Sequence, residues 1–227
     1  MMTSEQYLAF HRRRHAMLLG ILNRHVPKHI TRSLDIGGAG DLLNLSSYVN
    51  KTFGAEAHTV DLGDSVAEGI QKGLVSQACN IDESPLPYPD GHFDLVIFAS
   101  VVEHLYNPFF ALDEMHRVLA SGGLLLLEAP NAVALGRRVD ILKGRNPFRW
   151  FNEYNAHQQK SHMIFCSVFY SPEEAEALVR QHGFEVLERD YGLHTPPLSL
   201  PKKAIRETIV RLFPRSSDCY AIMARKR

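Results

Sequence analysis

Two stretches of the chain, FDLVIFA at Phe93 to Ala99 and LLLLEA at Leu124 to Ala129, are almost continuously apolar. A strand with one wet face alternates apolar and polar residues, and neither stretch does. Both have the pattern of strands covered on two faces, which a parallel sheet between helical layers imposes. Each belongs to a longer alternation. Arg32 to Ile36 reads as a short strand, Asp41 to Phe53 as a helix, Ala57 to Val60 as a strand ending in Asp61, Ser65 to about Leu74 as a helix, and Val75 to Ile81 as a strand. The helix Pro108 to Leu119, with proline in its first turn, follows FDLVIFA, and a turn at Gly122-Gly123 leads into LLLLEA. This order predicts an α/β fold with a doubly wound, mostly parallel sheet.

The two ends read differently. Thr3 to about Val26 is predicted to be a helix with an apolar stripe of Met17, Leu18, Ile21 and Leu22, and its charge run His11-Arg12-Arg13-Arg14-His15 is expected to be a solvated face. The last third is polar and basic. A helix is expected up to Lys143. Another starts at Ser171-Pro172-Glu173-Glu174, with a serine cap, proline at the first position and glutamate at the third, and closes at Gly183. Phe184 to Asp190 and Cys219 to Arg225 read as strands. Between them lies an insertion with Pro196, Pro197 and Pro201, followed by KKAIRETIVRLF. There Ile205, Ile209, Leu212 and Phe213 form an apolar stripe flanked by Lys202, Lys203, Arg206, Arg211 and Arg215. The preferred reading is a helix packed on the domain edge, and the sharper alternative is contact of 202–215 with a membrane surface or lipid-linked acceptor. The whole chain, 1–227, is expected to be a single domain with an N-terminal helix (about 3–26) and a C-terminal cap on the acceptor side (about 132–217).

Charge and cysteine usage narrow the partners. Lys+Arg and Asp+Glu balance at 25 each, so there is no basic field to hold a polyanion and nucleic acid is not expected. Cys79, Cys166 and Cys219 are widely spaced and form no CxxC pair, which favours reduced thiols in a cytoplasmic setting. The N-terminus lacks the apolar run of a signal peptide, and no stretch approaches the roughly 20 apolar residues of a membrane span.

The stretch SLDIGGAGDLL, from Ser33, places glycines where the first strand hands over to the first helix. Open α/β sheets bind ligands at that rim, and missing Cβ atoms allow close approach of backbone. The loop does not complete a dinucleotide fingerprint, because Leu43 stands where the last glycine should be. It has no Gly-Lys-Ser/Thr of a phosphate loop, and Asp35 suits a cationic ligand better than a polyphosphate. Four blocks in order, LDIGGAG, VDL, NIDESPLPYPDGHFDLVIFASVVEHL and NPFFALDEMHRVLASGGLLLLEAPN, resemble the class I S-adenosylmethionine-dependent methyltransferases, most closely the small-molecule branch labelled methyltransferase type 11.

The resemblance implies a Rossmann-like sheet of seven strands with the last antiparallel, and S-adenosyl-L-methionine as cofactor. Asp35 would sit near the methionine amino group, with Gly37, Gly38 and Gly40 giving backbone access. Asp61 would accept hydrogen bonds from the ribose hydroxyls, with Leu62 beside it. Either Asn80, with Ile81 packing on the ring, or Asp82 would meet the adenine, and Ser100 would line the sulfonium side. The loop departs from the usual spacing: Ala39 and Asp41 stand where glycines are usual, with Gly40 out of step. Glu103-His104 fall at the mouth of the site, with His104 as the base for the acceptor proton or the pair as a helix start that shapes the pocket. Asn131, Arg137, Tyr154, His157 and His162 lie in the part that supplies the acceptor pocket, and a cluster of this kind suits a polar or sugar-like acceptor, most simply at oxygen. No metal is expected: Ser100 offers no charge where an extra acid would be needed, and nothing completes a zinc set with the two histidines. The rival readings are a nucleotide-dependent oxidoreductase and a non-catalytic relative that binds S-adenosylmethionine without turnover.

Overall fold

The computed structural model describes residues 4–39, 44–63, 65–148, 168–194 and 199–227. Seven strands among them form one sheet: β1 (Arg32–Ile36), β2 (Glu56–Asp61), β3 (Val75–Ala78), β4 (Phe93–Ala99), β5 (Leu119–Pro130), β6 (Phe184–Gly192) and β7 (Cys219–Lys226), in the order β3-β2-β1-β4-β5-β7-β6. The pairs β1–β2, β1–β4, β2–β3 and β4–β5 are parallel, while β7 runs antiparallel between β5 and β6. The chain leaves the β3 edge and returns beside β1 as β4, so strand order reverses between β1 and β4. That reversal opens a crevice at the carboxyl ends of the strands.

The continuous apolar runs have the predicted cause. In β4, Val96 and Phe98 enter one core with Leu112 and Met115 of α4 (Pro108–Val118) and Val179 of α6 (Pro172–Gln181). Leu95 and Ile97, one residue out of phase, enter the opposite core with Leu18, Ile21 and Leu22 of α1 (Ser4–His25) and Val49 of α2 (Leu45–Phe53). In β5, Leu125 and Leu127 face the first core, and Leu124 and Leu126 the second. Truncating one of these fully buried leucines to alanine costs about 2–5 kcal/mol.

Several boundaries differ from expectation for local reasons. β3 ends at Ala78 instead of Ile81, because the Asn80 carbonyl accepts the Glu83 and Ser84 amides and turns the chain. The helix before it, α3 (Ser65–Gln71), ends short of Leu74 at a turn through Gly73. Gly122-Gly123 is not a free turn but a bulge inside β5: the register jumps from Phe93–Leu119 to Leu95–Leu124, with Gly122 at φ 74°. The start of α6 carries the expected capping box, the Ser171 Oγ accepting from the Glu174 amide at 3.3 Å and Glu174 Oε2 accepting from the Ser171 amide at 2.7 Å.

The helix α7 (Leu200–Leu212) corrects the sequence reading of its apolar stripe. Ile205, Leu212 and Phe213 are 61%, 68% and 64% exposed, and Val210 is the helix's buried residue. Charged side chains fasten the inner face: Glu207 pairs with Arg13 of α1 at 2.8 Å, and Arg206 pairs with Asp218 and donates to the His194 carbonyl at 3.1 Å.

Candidate active site

Asp35 is the next-to-last residue of β1, buried, its carboxylate accepting from the Ser46 hydroxyl of α2 at 2.6 Å. The chain then folds tightly over it. A Cβ on Gly38 would stand 2.2 Å from the Asp35 carboxylate, and Gly37 takes φ 75°, where a Cβ would also meet Val101 at 2.7 Å. Glycine is therefore required at both positions by the turn itself. Lys72 Nζ holds the Ala39 carbonyl at 2.8 Å from the far side. Gly40 and Asp41 lie outside the described residues.

Asp61 closes β2 on the same rim. Its Oδ1 accepts the Leu62 amide at 2.7 Å, and the Leu62 side chain is exposed beside it. Asn80 and Asp82 follow β3. Asp82 Oδ1 accepts the Tyr106 and Asn107 amides, both at 2.9 Å, and so ties the turn after β3 to the segment before α4. The Asn80 amide oxygen accepts the Asp82 N–H at 3.2 Å. Ile81 is buried in the core beneath the rim.

Ser100 leaves β4 with φ 55°, an uncommon conformation for a residue with a Cβ. Its hydroxyl accepts from Arg14 Nη2 at 2.8 Å and donates to Glu128 Oε2 at 3.0 Å. Arg14 is 5% exposed and grips Glu128 of β5 with two bonds, Nε–Oε1 at 2.9 Å and Nη2–Oε2 at 2.7 Å. The charge run of α1 is therefore not solvated throughout: Arg12 and Arg13 are exposed, as expected of a solvated face, and Arg14 is not. Glu128 carried a signal in the sequence, as an acid inside a run of leucines that must have a cationic partner to be buried.

Glu103 and His104 lie in the 3-10 turn Val102–His104 directly after Ser100 and Val101. Glu103 is 3% exposed, and its Oε2 has no hydrogen-bond partner. Burial, and then the nearby Glu128 charge, push its carboxyl up to about 8. The His104 Nε2 is 4.0 Å from Glu103 Oε1, and burial lowers the imidazole below its ordinary value, so it is neutral at pH 7.

Of the expected acceptor-side residues, Asn131 turns inward. Its Nδ2 donates to the Arg215 and Ser217 carbonyls at 2.9 and 2.8 Å, and its Oδ1 accepts the Val133 amide at 3.0 Å. The side chain is spent on joining the end of β5 to the segment before β7, which takes it out of the acceptor pocket. Arg137 donates to the Asn131 carbonyl at 2.7 Å and lies over the rings of Phe148 and Phe169, 5.0 and 4.7 Å from their centroids. Tyr154, His157 and His162 lie outside the described residues. Among the described residues no group of three His, Cys, Asp or Glu is placed to hold a metal ion.

The rim thus offers a buried carboxylate under a glycine turn at β1, a carboxylate next to exposed leucine at β2, and a polar amide after β3. A ligand with a cationic head, a vicinal diol and a flat heterocycle matches that donor set, as S-adenosylmethionine does. The chain matches the family model described as methyltransferase domain over residues 9–189. It is 34% identical over 100 residues to the ubiquinone/menaquinone biosynthesis C-methyltransferase UbiE of Cupriavidus necator, covering 41% of each chain. It is 25% identical over 177 residues to the ubiquinone biosynthesis O-methyltransferase of Cereibacter sphaeroides, covering 77% of this chain and 68% of that one. Among solved structures, a SAM-dependent methyltransferase from Archaeoglobus fulgidus superposes with a TM-score of 0.62 at 19% identity, covering 97% of this chain and 99% of the other, which shows the shared fold.

Proposed function

The chain belongs to the class I S-adenosylmethionine-dependent methyltransferases, and on that premise we propose that it methylates a hydroxyl oxygen of a small, polar or sugar-like acceptor. The observation that carries this reading is the pair of carboxylates at the ends of consecutive parallel strands, Asp35 under the glycine turn and Asp61 on the open rim. Asp35 holds the amino group of the cofactor's methionine end. Asp61 accepts both ribose hydroxyls, a geometry one carboxylate can satisfy, and Leu62 gives the adenine an apolar surface. Asn80 is favoured over Asp82 for the base, because its amide oxygen accepts one backbone N–H at 3.2 Å and its NH2 can still donate, whereas Asp82 Oδ1 accepts two backbone amides at 2.9 Å.

S-adenosylmethionine supplies a methyl group already activated on its sulfonium. The protein's part is therefore alignment, exclusion of water and removal of one proton. Ser100, fixed between Arg14 and Glu128, shapes the wall beside the reacting carbon. His104, kept neutral by burial, accepts the acceptor's hydroxyl proton as that oxygen gains the methyl group. Glu103 stands 4.0 Å from its ring; its carboxyl stays protonated until about pH 8, so the carboxylate that stabilises the imidazolium is available only as pH rises toward that value. Arg137, on the acceptor side, supplies a donor for the substrate's polar groups. The relatives include both C- and O-methyltransferases, so the oxygen assignment rests on this proton-accepting pair.

The test is turnover of S-adenosylmethionine over a panel of hydroxyl-bearing and carbon acceptors, with product mass and position of the methyl group determined. Oxygen-methylated product is expected, with His104→Ala lowering kcat by about 10²–10⁴-fold while leaving cofactor binding intact. Stabilisation by NAD(H) alone, or cofactor binding with no turnover on any acceptor, would overturn the reading.

A further inference from the structure

The apolar stripe of α7 is not an isolated exposure. The helix α5 (Leu135–Leu142) has no buried residue, and Ile141 and Leu142 are 60% and 86% exposed. Val139, four residues from Leu135 and three from Leu142, is exposed on the same side as Leu142. In α7 the residues Ile205, Ile209 and Leu212 follow the same i, i+4, i+7 spacing, pointing away from the inner face held by Arg206, Glu207 and Val210.

Both helices spring from one end of the sheet. α5 follows Pro130, the carboxyl end of β5, and α7 lies between Gly192 of β6 and Cys219 of β7. Pro130 pairs with Cys219, and Gly192 also pairs with Cys219, so the roots of both helices sit together on the rim that carries Asp61 and Ser100. Asn131 locks them, its amide bonded to the Arg215 and Ser217 carbonyls beyond the end of α7.

Charge says what this surface fits. The chain as a whole is balanced, 25 basic residues against 25 acidic. Along 199–216, however, Lys202, Lys203, Arg206, Arg211 and Arg215 face one acid, Glu207, which is already paired with Arg13. Along 134–145, Arg137, Arg138, Lys143 and Arg145 face one acid, Asp140. Lys202, Lys203, Arg211, Arg138, Lys143 and Arg145 are exposed around the two apolar stripes. Apolar side chains rimmed by cations on helices lying at one end of a domain are the chemistry that inserts between lipid headgroups and meets anionic phosphates. A second copy of the chain would bring the same cations against each other.

We propose that the α5–α7 surface docks this enzyme on an anionic lipid bilayer, with the carboxyl rim of the sheet turned toward the membrane. Docking of this kind presents the mouth of the site to acceptors that reside in, or at the surface of, the bilayer. It goes beyond the methyl-transfer reading and does not depend on it.

Co-sedimentation of the full chain with vesicles tests it, comparing phosphatidylcholine alone with phosphatidylcholine containing phosphatidylglycerol. The protein is expected to sediment with the anionic vesicles at low salt and to be released at high salt. The double variants Ile205→Glu/Leu212→Glu and Lys202→Glu/Lys203→Glu are each expected to weaken that partition at least tenfold. Titration with S-adenosylhomocysteine serves as the folding control, and its affinity should be unchanged in both. Failure of the wild type to bind anionic vesicles would overturn the proposal. So would light scattering showing a dimer that Ile205→Glu/Leu212→Glu abolishes, since the stripe would then be a contact between copies. Vesicle binding by a protein that does not take up S-adenosylhomocysteine would leave this proposal standing and remove the functional one.

Discussion

The helices α1 and α7 lie against each other through Arg13 and Glu207, and they invert one another's expectations. α1 carries the most cationic run in the chain, and one of its arginines, Arg14, is buried against Glu128 of β5. α7 carries a clean apolar stripe, and the stripe faces outward. Periodicity tells which residues share a helix face. It does not tell which face meets the body, because that depends on what the body presents. β5 presents Glu128, whose burial without a cation would cost several kcal/mol, so α1 turns Arg14 inward. The edge near β6 and β7 presents Asp218 and the His194 carbonyl, so α7 turns Arg206 inward and its isoleucines out.

The contrast can be broken most strongly at Arg14. Arg14→Ala leaves Glu128 buried without its guanidinium, and a loss of about 3–5 kcal/mol is expected, a fall in Tm of roughly 10 °C by thermal melting. Arg14→Met combined with Glu128→Met is expected to recover most of that loss, since removing both charges leaves neither stranded. Equal loss in the single and double variants would show that the pair is not what holds α1 here.

Glu103 sharpens the contrast, as a buried acid on the same rim with an oxygen that no donor meets. Its carboxyl loses the proton near its ordinary 4.5 in the unfolded chain and only at about 8 in the fold. The fold therefore binds the proton more tightly, and stability falls as pH rises through that window. Glu103→Gln is expected to raise Tm by a few degrees at pH 8 and to change it little at pH 5, only just above the unfolded value, where the folded carboxyl is still protonated and little of the loss has developed. The same gain at both pH values would mean that charge burial is not the cause.

At the small end lies α7. Ile205→Glu with Leu212→Glu should change stability by no more than about 0.5 kcal/mol, as for other exposed positions. A loss of several kcal/mol would place the stripe in a core and restore the sequence reading. Two apolar-to-acid changes that cost less than a single arginine truncation would be a direct statement of how these two helices differ.

Much of the fold was readable before the structure. FDLVIFA and LLLLEA demanded two-sided burial, and β4 and β5 alternate their side chains between two cores as that demand requires. The Ser171 cap and its Glu174 partner announced α6 because the bonds are local. Asp35 and the glycines were readable for the same reason: the turn, the acid and the missing Cβ atoms lie within four residues. The Arg14–Glu128–Ser100 network was not, since its members stand 114 and 86 residues apart and no local pattern joins them. Asn131 was misjudged for a related reason. Its position after β5 suggested the acceptor pocket, but its partners, the Arg215 and Ser217 carbonyls, lie 84 and 86 residues further on. Residues with nearby partners reveal themselves in sequence, and residues that bind distant elements do so only in the fold.

The claim on which the functional account turns is that the Asp61 carboxylate, at the end of β2, holds the cofactor's ribose. Calorimetric titration with S-adenosylhomocysteine of the wild type and of Asp61→Ala measures it directly. One-to-one binding by the wild type is expected, weakened about 10–100-fold in the variant through loss of charged hydrogen bonds to both hydroxyls. No uptake by the wild type, or equal affinity in the two proteins, would contradict it.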